Sequence, residues 1–353
     1  MDIKNLLQKT FETGSSDLHM VVGSLPMFRT YGKLNAVPET TILEADSLKT
    51  LLMSLITPDQ QQKYIAEREL DFSFALPGVA RFRCNYYIQR GTVAAAFRVI
   101  PVKIPTIEEL QLPQICHTFA GLKQGFILVT GPTGSGKSST LAAILEEINV
   151  TRAENVITIE DPIEFEYSNK KSIFSQREVG GDTKTFERAL KSALREDPNV
   201  VLVGEMRDLE TIKAAITTAE TGHLVFSTLH TNSAAQTIDR IIDSFPEEQQ
   251  DQIRTQLANS LEAVFAQRLI PTKDGKRIAA YEVMVATPAI KSNIREGKTH
   301  QIDNIIQTGA EQGMILIDNI LAQHVNRGIV DREVAYKYCN YPTVLSRLIG
   351  ESR

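Results

Sequence analysis

The stretch Phe126-Ile127-Leu128-Val129-Thr130-Gly131-Pro132-Thr133-Gly134-Ser135-Gly136-Lys137-Ser138 decides the fold of this chain. A strand-sized apolar run enters a GxxxxGK[ST] loop, and the loop leads directly into the helical run Ser139–Ile148. Strand, glycine-rich loop and helix in that order are the context the motif requires. The glycines let successive backbone N–H groups turn inward around a phosphate, and the helix aims its positive dipole end at the same charge. Lys137 is expected to reach the β and γ phosphates and Ser138 to hold Mg²⁺. The predicted nucleotide-binding set is Gly131, Pro132, Thr133, Gly134, Ser135, Gly136, Lys137, Ser138 and Ser139, with ATP and Mg²⁺ as cofactors.

Around this unit, apolar runs of four to six residues alternate with helical periodicity, which predicts a parallel α/β sheet. The predicted strands are Phe126–Thr130, Val156–Ile159, Val200–Val203 and Leu224–Ser227. Phe186, Leu190 and Leu194 share one helical face, as do Leu209, Ile212 and Ile216. A parallel sheet collects its chemistry at the carboxyl ends of its strands. There the second strand runs into Glu160-Asp161-Pro162-Ile163-Glu164-Phe165, whose carboxylates either orient water and Mg²⁺ or form a solvated acidic turn. The third runs into Gly204-Glu205-Met206-Arg207-Asp208, a Walker B position. Glu205 is assigned to polarising the attacking water, with contact to Mg²⁺ through water. Asp208 is assigned to capping the next helix. The fourth strand is bracketed by His223 and His230. Each is read as either a hydrogen-bonded structural histidine or a γ-phosphate sensor.

The first hundred residues read differently, as hairpin-like strands with two helical stretches, Ile3–Phe11 and Leu43–Leu55. Strands are expected at Leu18–Val22, Pro26–Leu34 broken at Tyr31-Gly32-Lys33, Phe72–Leu76, and Arg81–Ile100 interrupted at Gln89-Arg90-Gly91. Pro101, Pro105 and Pro113 punctuate the chain next, and prolines are excluded from central strands and helix interiors. The expected division is an α+β domain over 1–100, a linker over 101–113, an ATPase core over 114–270 and a mostly helical region over 271–353.

A net charge of -5 excludes a protein that holds duplex DNA by bulk charge, and there is neither tryptophan nor a basic run for a stacking channel. Nucleic acid is therefore not an expected partner. Cys84, Cys116 and Cys339 form no CxxC pair, so reduced thiols and a cytoplasmic location are expected. The charged start, with Asp2, Glu12 and Asp17, reads as neither a signal peptide nor a membrane span, so membrane contact is expected only through partners.

Together, Gly131–Ser138, Ile159–Phe165, Leu194-Arg195-Glu196-Asp197-Pro198 with Gly204–Asp208, and Thr221–Asn232 resemble the secretion-type ATPases of type II secretion and type IV pili. Within them the chain is most similar to the pilus retraction motors. Ser16-Asp17-Leu18-His19 also matches. Ala289-Ile290-Lys291-Ser292-Asn293-Ile294-Arg295-Glu296 resembles the motif Ala-Ile-Arg-Asn-Leu-Ile-Arg-Glu associated with retraction, departing from it at Lys291, Ser292 and Asn293. The resemblance implies a PAS-like N-terminal domain, a RecA-like P-loop domain and a cytoplasmic homohexamer at the inner face of the inner membrane. It implies an inner-membrane platform protein as partner, with a paralogous retraction ATPase as a further candidate. It also implies that Glu205, Glu160, Asp161 and Glu164 serve hydrolysis, with arginines donated across domains. Extension motors and type II secretion ATPases share this chemistry. Extension motors carry a longer N-terminal region and a four-cysteine zinc site, and neither stands in this sequence.

The arginines have their own signal, because no acidic residue occurs from Phe72 to Ile107. Strand alternation places Arg81, Arg83, Asn85, Tyr87 and Gln89 on one face, and this face is expected to lack local partners. It is either simply solvated or a source of arginine fingers, with Arg81, Arg83 and Arg98 the candidates and Arg29 a weaker one.

Overall fold

The computed structural model describes residues 2–30, 32–100 and 103–350. Tyr31 of the predicted turn and Pro101 and Val102 of the predicted linker lie outside the described residues. The chain divides into two compact units, one of Met1–Lys103 with Pro162–Glu166, the other of Ile104–Asp161 with Tyr167–Arg353.

The first unit contains α1 (Ile3–Glu12), β1 (Asp17–Val21), β2 (Met27–Thr30), β3 (Lys33–Ala36), α2 (Ala45–Met53), α3 (Pro58–Glu67), β4 (Glu69–Leu76), β5 (Ala80–Gln89) and β6 (Thr92–Ile100). Its strands form one antiparallel sheet in the order β3-β2-β1-β6-β5-β4. Arg90 and Gly91 both take positive φ, 47° and 76°, which is the type I′ turn that joins β5 to β6 without splaying them. One sheet face packs Leu18, Met20, Phe82, Cys84, Tyr86 and Phe97 against Leu6 and Leu7 of α1 and Leu48 and Leu52 of α2. The other face carries Asp17, Arg29, Arg81, Arg83, Asn85 and Arg98.

The second unit contains α4 (Ile115–Gly121), β7 (Gly125–Thr130), α5 (Lys137–Thr151), β8 (Asn155–Glu160), β9 (Ile173–Glu178), α6 (Phe186–Ala193), β10 (Val200–Val203), α7 (Leu209–Glu220), β11 (Leu224–Leu229), α8 (Ala234–Ile242), α9 (Glu247–Ser260), β12 (Leu261–Pro271), β13 (Arg277–Val285), α10 (Pro288–Arg295), α11 (Ile302–Thr308), α12 (Ile317–Asn326), α13 (Arg332–Tyr338) and α14 (Pro342–Leu348). The sheet order is β13-β12-β7-β11-β10-β8-β9, parallel throughout except for the antiparallel edge strand β13. Both faces are covered. Ile127 and Val129 of β7 pack with Leu141, Ile144 and Ile148 of α5, while Phe126 and Leu128 pack with residues of α7, α8 and α9. That is the doubly wound arrangement. Helices α12 and α14 form a smaller cluster over Ile270 and Ala280.

The four strands legible from the sequence are the contiguous middle of this sheet. The three added by the structure, β9, β12 and β13, lie at its two sides, and β13 continues the sheet past the expected core boundary at residue 270.

Candidate functional site

Parallel strands β7, β8, β10 and β11 all end at one edge of the sheet, and the phosphate loop, Glu160, Glu205 and His230 emerge there side by side. Within the loop, Gly131 and Gly136 take φ of 144° and 90°, a region costly for any residue with a Cβ. Space excludes other residues too. A Cβ on Gly131 would lie 2.1 Å from the Gln267 carbonyl oxygen, and one on Gly136 would lie 2.8 Å from Gln267 Nε2.

Gly136 caps α5 with no side-chain hydrogen bond, so the first-turn N–H groups of this 15-residue helix stay open to a ligand. The Lys137 ammonium is buried and donates to the carbonyls of Gly131 at 2.8 Å and Pro132 at 3.1 Å. Ser135 Oγ is buried with no hydrogen-bond partner. Open amides, a buried cation and an orphaned hydroxyl on one loop fit a phosphate chain. Beside them lies a cavity of about 210 Å³ lined by Leu112, Gly136, Ser139, Thr140, Leu269 and Ile278, among others. Among the described residues no cluster of three or more His, Cys, Asp or Glu is placed to hold a metal ion. Ser138, at the start of α5, is the hydroxyl of this loop that could hold a Mg²⁺ beside bound phosphate.

Gly204 lets the exits of β8 and β10 approach. Its N–H donates to Ile159 O at 2.8 Å, and a Cβ there would press on Ile159 O at 3.2 Å and on Glu160 Cα at 3.3 Å. Glu160 is buried and accepts from Thr158 Oγ1 at 2.6 Å and Gln176 Nε2 at 3.4 Å. Burial, with the Glu160 and Glu146 charges adding, raises the Tyr167 phenol well above its ordinary value, and its ring stacks on Phe174 at 4.4 Å. The Glu205 carboxylate meets Arg207 Nη2 and lies 3.7 Å from His230 Nε2. The strand carrying His230 is latched to the strand before Glu205, since Ser227 Oγ donates to Val203 O at 2.8 Å and Thr228 Oγ1 to Gly204 O at 2.7 Å. Asp208 caps α7 by accepting from Thr211 N at 2.8 Å.

His223 lies away from this edge. It precedes β11, so it stands at the amino edge of the sheet, and six residues of strand separate it from the carboxyl edge by about 20 Å. Its Nδ1 meets Thr218 O at 3.0 Å and Thr221 Oγ1 at 3.1 Å at the end of α7, the structural alternative.

The acidic box is divided. Glu160 and Asp161 stay with the sheet that bears the phosphate loop, while Pro162–Glu166, including Glu164, belongs to the first unit. There Glu166 meets Arg81 Nη1 at 2.8 Å.

The arginine face finds partners that are far away in sequence, at 81 and 85 residues' separation. Strand register sets Arg83, Arg98, Asp17 and Arg29 in one row across four strands. Asp17 is buried and holds Arg98 Nε at 2.9 Å and Arg29 Nε at 3.9 Å. Arg83 is exposed, and its side chain makes no hydrogen bond or ion pair among the described residues. In the segment Ala289–Glu296, Ile290 and Ile294 are buried while Asn293 is half-buried. Lys291 Nζ reaches Glu262 Oε1 at 3.0 Å.

Sequence reasoning missed the support on β12 and β13. Gln267 holds the phosphate loop. Arg268 donates to Asn232 O at 3.3 Å, to Asn340 Oδ1 at 2.7 Å and to Tyr338 O. Glu282 accepts the Ala234 N–H at the start of α8 at 2.7 Å. Burial pushes the Glu282 carboxyl up to about 7, with Asp303 and Asp318 adding to the shift and the Ala234 bond and Arg268 opposing it.

The family model described as "Type II/IV secretion system protein" matches residues 106–337. The chain is 47% identical over 345 residues to the type IV pilus retraction ATPase PilT of Pseudomonas aeruginosa, covering 97% of this chain and 99% of that one. It is 47% identical over 313 residues to a twitching motility protein of Neisseria gonorrhoeae, covering 88% and 83%. A crystal structure of the pilus retraction motor PilT with bound ADP superposes with a TM-score of 0.92 at 43% identity, covering 98% of this chain and 99% of that one.

Proposed function

The chain is an ATPase of the type II/IV secretion system protein family, and from that premise we propose that it works as a homohexameric motor driving type IV pilus retraction, the disassembly that underlies twitching. The observation that carries the reading is the convergence at one sheet edge of the open phosphate loop, the half-buried Glu205 and the adjacent His230. Near-complete coverage by relatives named for retraction supports the direction of the motor.

The residues then take these roles. Gly131–Gly136 and the start of α5 offer N–H groups to the phosphates, Lys137 supplies the positive charge, and Ser138 with Ser139 completes the cradle. The cavity beside Thr140 and Leu269 accepts the nucleoside. Ser138, with Glu205 through water, would hold Mg²⁺ beside the phosphates, where the ion would supply neutralisation of developing negative charge. Glu205 orients and polarises the attacking water. Glu160, with Asp161, sets the negative potential beside it, and His230 reports the γ-phosphate through its contact with Glu205.

Arginine fingers come from a neighbouring copy of the chain. Arg83 is the best placed chemically, being exposed and unpaired among the described residues, whereas Arg81 and Arg98 would have to exchange Glu166 and Asp17 for phosphate. No helix among the described residues is long and apolar enough to cross a membrane. In this reading the ring sits in the cytoplasm against an inner-membrane platform protein, with a paralogous ATPase as a second partner. Deletion of the gene is expected to leave piliated cells that cannot retract or twitch, and the cloned chain to restore both. Cells that lose pili instead would contradict retraction in favour of extension.

A further inference from the structure

Strand β12 carries a buried glutamine in an apolar stretch. Gln267 is 3% exposed, and both polar ends of its side chain are committed to the nucleotide loop. Nε2 donates to the Ser135 carbonyl at 2.7 Å, and Oε1 accepts from the Thr140 hydroxyl at 2.7 Å. The amide orientation follows from the partners, since a carbonyl can only accept and so requires the NH₂ end. The Gln267 backbone closes the same space from behind at Gly131. One residue, 132 positions beyond Ser135, thus touches the loop at its start and end and also the first turn of α5.

Peptide geometry gives this contact a consequence for phosphate. In a trans peptide unit the C=O and the next N–H point in opposite directions. Holding the Ser135 carbonyl on the Gln267 side therefore turns the Gly136 N–H to the other side, and among the described residues that N–H meets no acceptor. We propose that Gln267 is a positioning residue for nucleotide: by fixing the Ser135–Gly136 peptide it presents the Gly136 N–H to the phosphates and so sets the loop's affinity for phosphate-bearing ligands. This rests on the ATP-binding reading. A side chain that merely filled the space would be replaceable by leucine, and the donor would not matter. Glutamate keeps the shape but sets an acceptor against the Ser135 carbonyl, which drives the peptide to turn.

The test uses the full chain as wild type, Gln267→Glu, Gln267→Leu and Thr140→Val, with MgADP titrated calorimetrically and KM and kcat measured for ATP. Both Gln267 variants are expected to weaken MgADP and raise the KM by about tenfold, the loss of one buried hydrogen bond, with kcat within about threefold. Thr140→Val, which removes the bond to Gln267 Oε1 but spares the one to Ser135, is expected to weaken MgADP by less than half the fold-change of Gln267→Leu. Gln267→Leu binding MgADP as tightly as wild type overturns the inference, as does Thr140→Val matching its loss. If Gln267→Glu does not fold, Gln267→Leu and Thr140→Val decide the question. Wild-type protein that binds no MgADP overturns the nucleotide reading itself, which separates the two failures.

Discussion

Gln267 and Arg268 are neighbours on one strand facing opposite sides of the sheet, and the polar clusters they anchor follow different rules. Beneath the phosphate loop the strut is a neutral amide with both ends partnered at 2.7 Å. On the other face one guanidinium stands among three carboxylates, and Glu282 Oε2, Asp303 Oδ1 and Asp318 Oδ2 are buried with no hydrogen-bond partner. The first cluster holds its geometry whatever the proton concentration. The second ties the loop after His230 to the C-terminal helices through Asn232, Tyr338 and Asn340, and it does so with charge that burial disfavours. A nucleotide loop built on the neutral rule keeps its shape across pH, while the coupling to the helices is left sensitive to protonation.

The sharpest way to break this comparison is to remove the Arg268 guanidinium. Arg268→Met discards three hydrogen bonds and leaves Glu282 and Asp318 facing no guanidinium, and should cost about 3 kcal/mol of unfolding free energy at neutral pH. Gln267→Leu, measured in the same urea titration, should cost less than half as much. Equal losses would mean that the two faces are not built differently.

A smaller effect sharpens the titration claim. The folded state holds the Glu282 proton up to about 7, whereas an exposed glutamate releases it near 4.5. The folded chain thus binds more protons than the unfolded chain between those values, so this group's contribution to stability falls as pH rises through that window. Asp318, also raised chiefly by burial, acts in the same direction from its own ordinary value. Glu282→Gln keeps an acceptor for Ala234 N–H and cannot ionise. It should match wild type near pH 4.5 and exceed it at pH 8 by an amount on the order of 2 kcal/mol. Parallel stability curves for the two proteins would contradict the assignment.

Legibility in the sequence followed burial and chain distance. The strands β7, β8, β10 and β11 are covered on both faces and so read as unbroken apolar runs, with the chemistry written at their ends. Strand β9 is half-exposed at the sheet edge, and Ile173-Phe174-Ser175-Gln176-Arg177-Glu178 carries no such run. Strand β12 follows α9 with neither glycine nor proline between Ser260 and Leu261, which hides the change from helical to extended backbone.

The same logic holds at the site. Loop residues Gly131–Ser138 and Glu205 declare themselves locally, because a phosphate cradle is made of consecutive amides. Gln267 does not, since its partners Ser135 and Thr140 stand 132 and 127 positions away. Nor could charge patterning foresee the pairing of Arg81 with Glu166 or of Arg98 with Asp17. The two readings of His223 could not be separated in the sequence, because it directly precedes β11 while the whole length of the strand separates it from the loop.

Steady-state phosphate release by wild type and Glu205→Gln, with MgADP affinity measured on both, tests the central claim most directly. Wild type is expected to hydrolyse ATP, and the variant to keep its MgADP affinity while turnover falls by about a hundredfold as the water loses its polarising carboxylate. Turnover in Glu205→Gln within about threefold of wild type would contradict it.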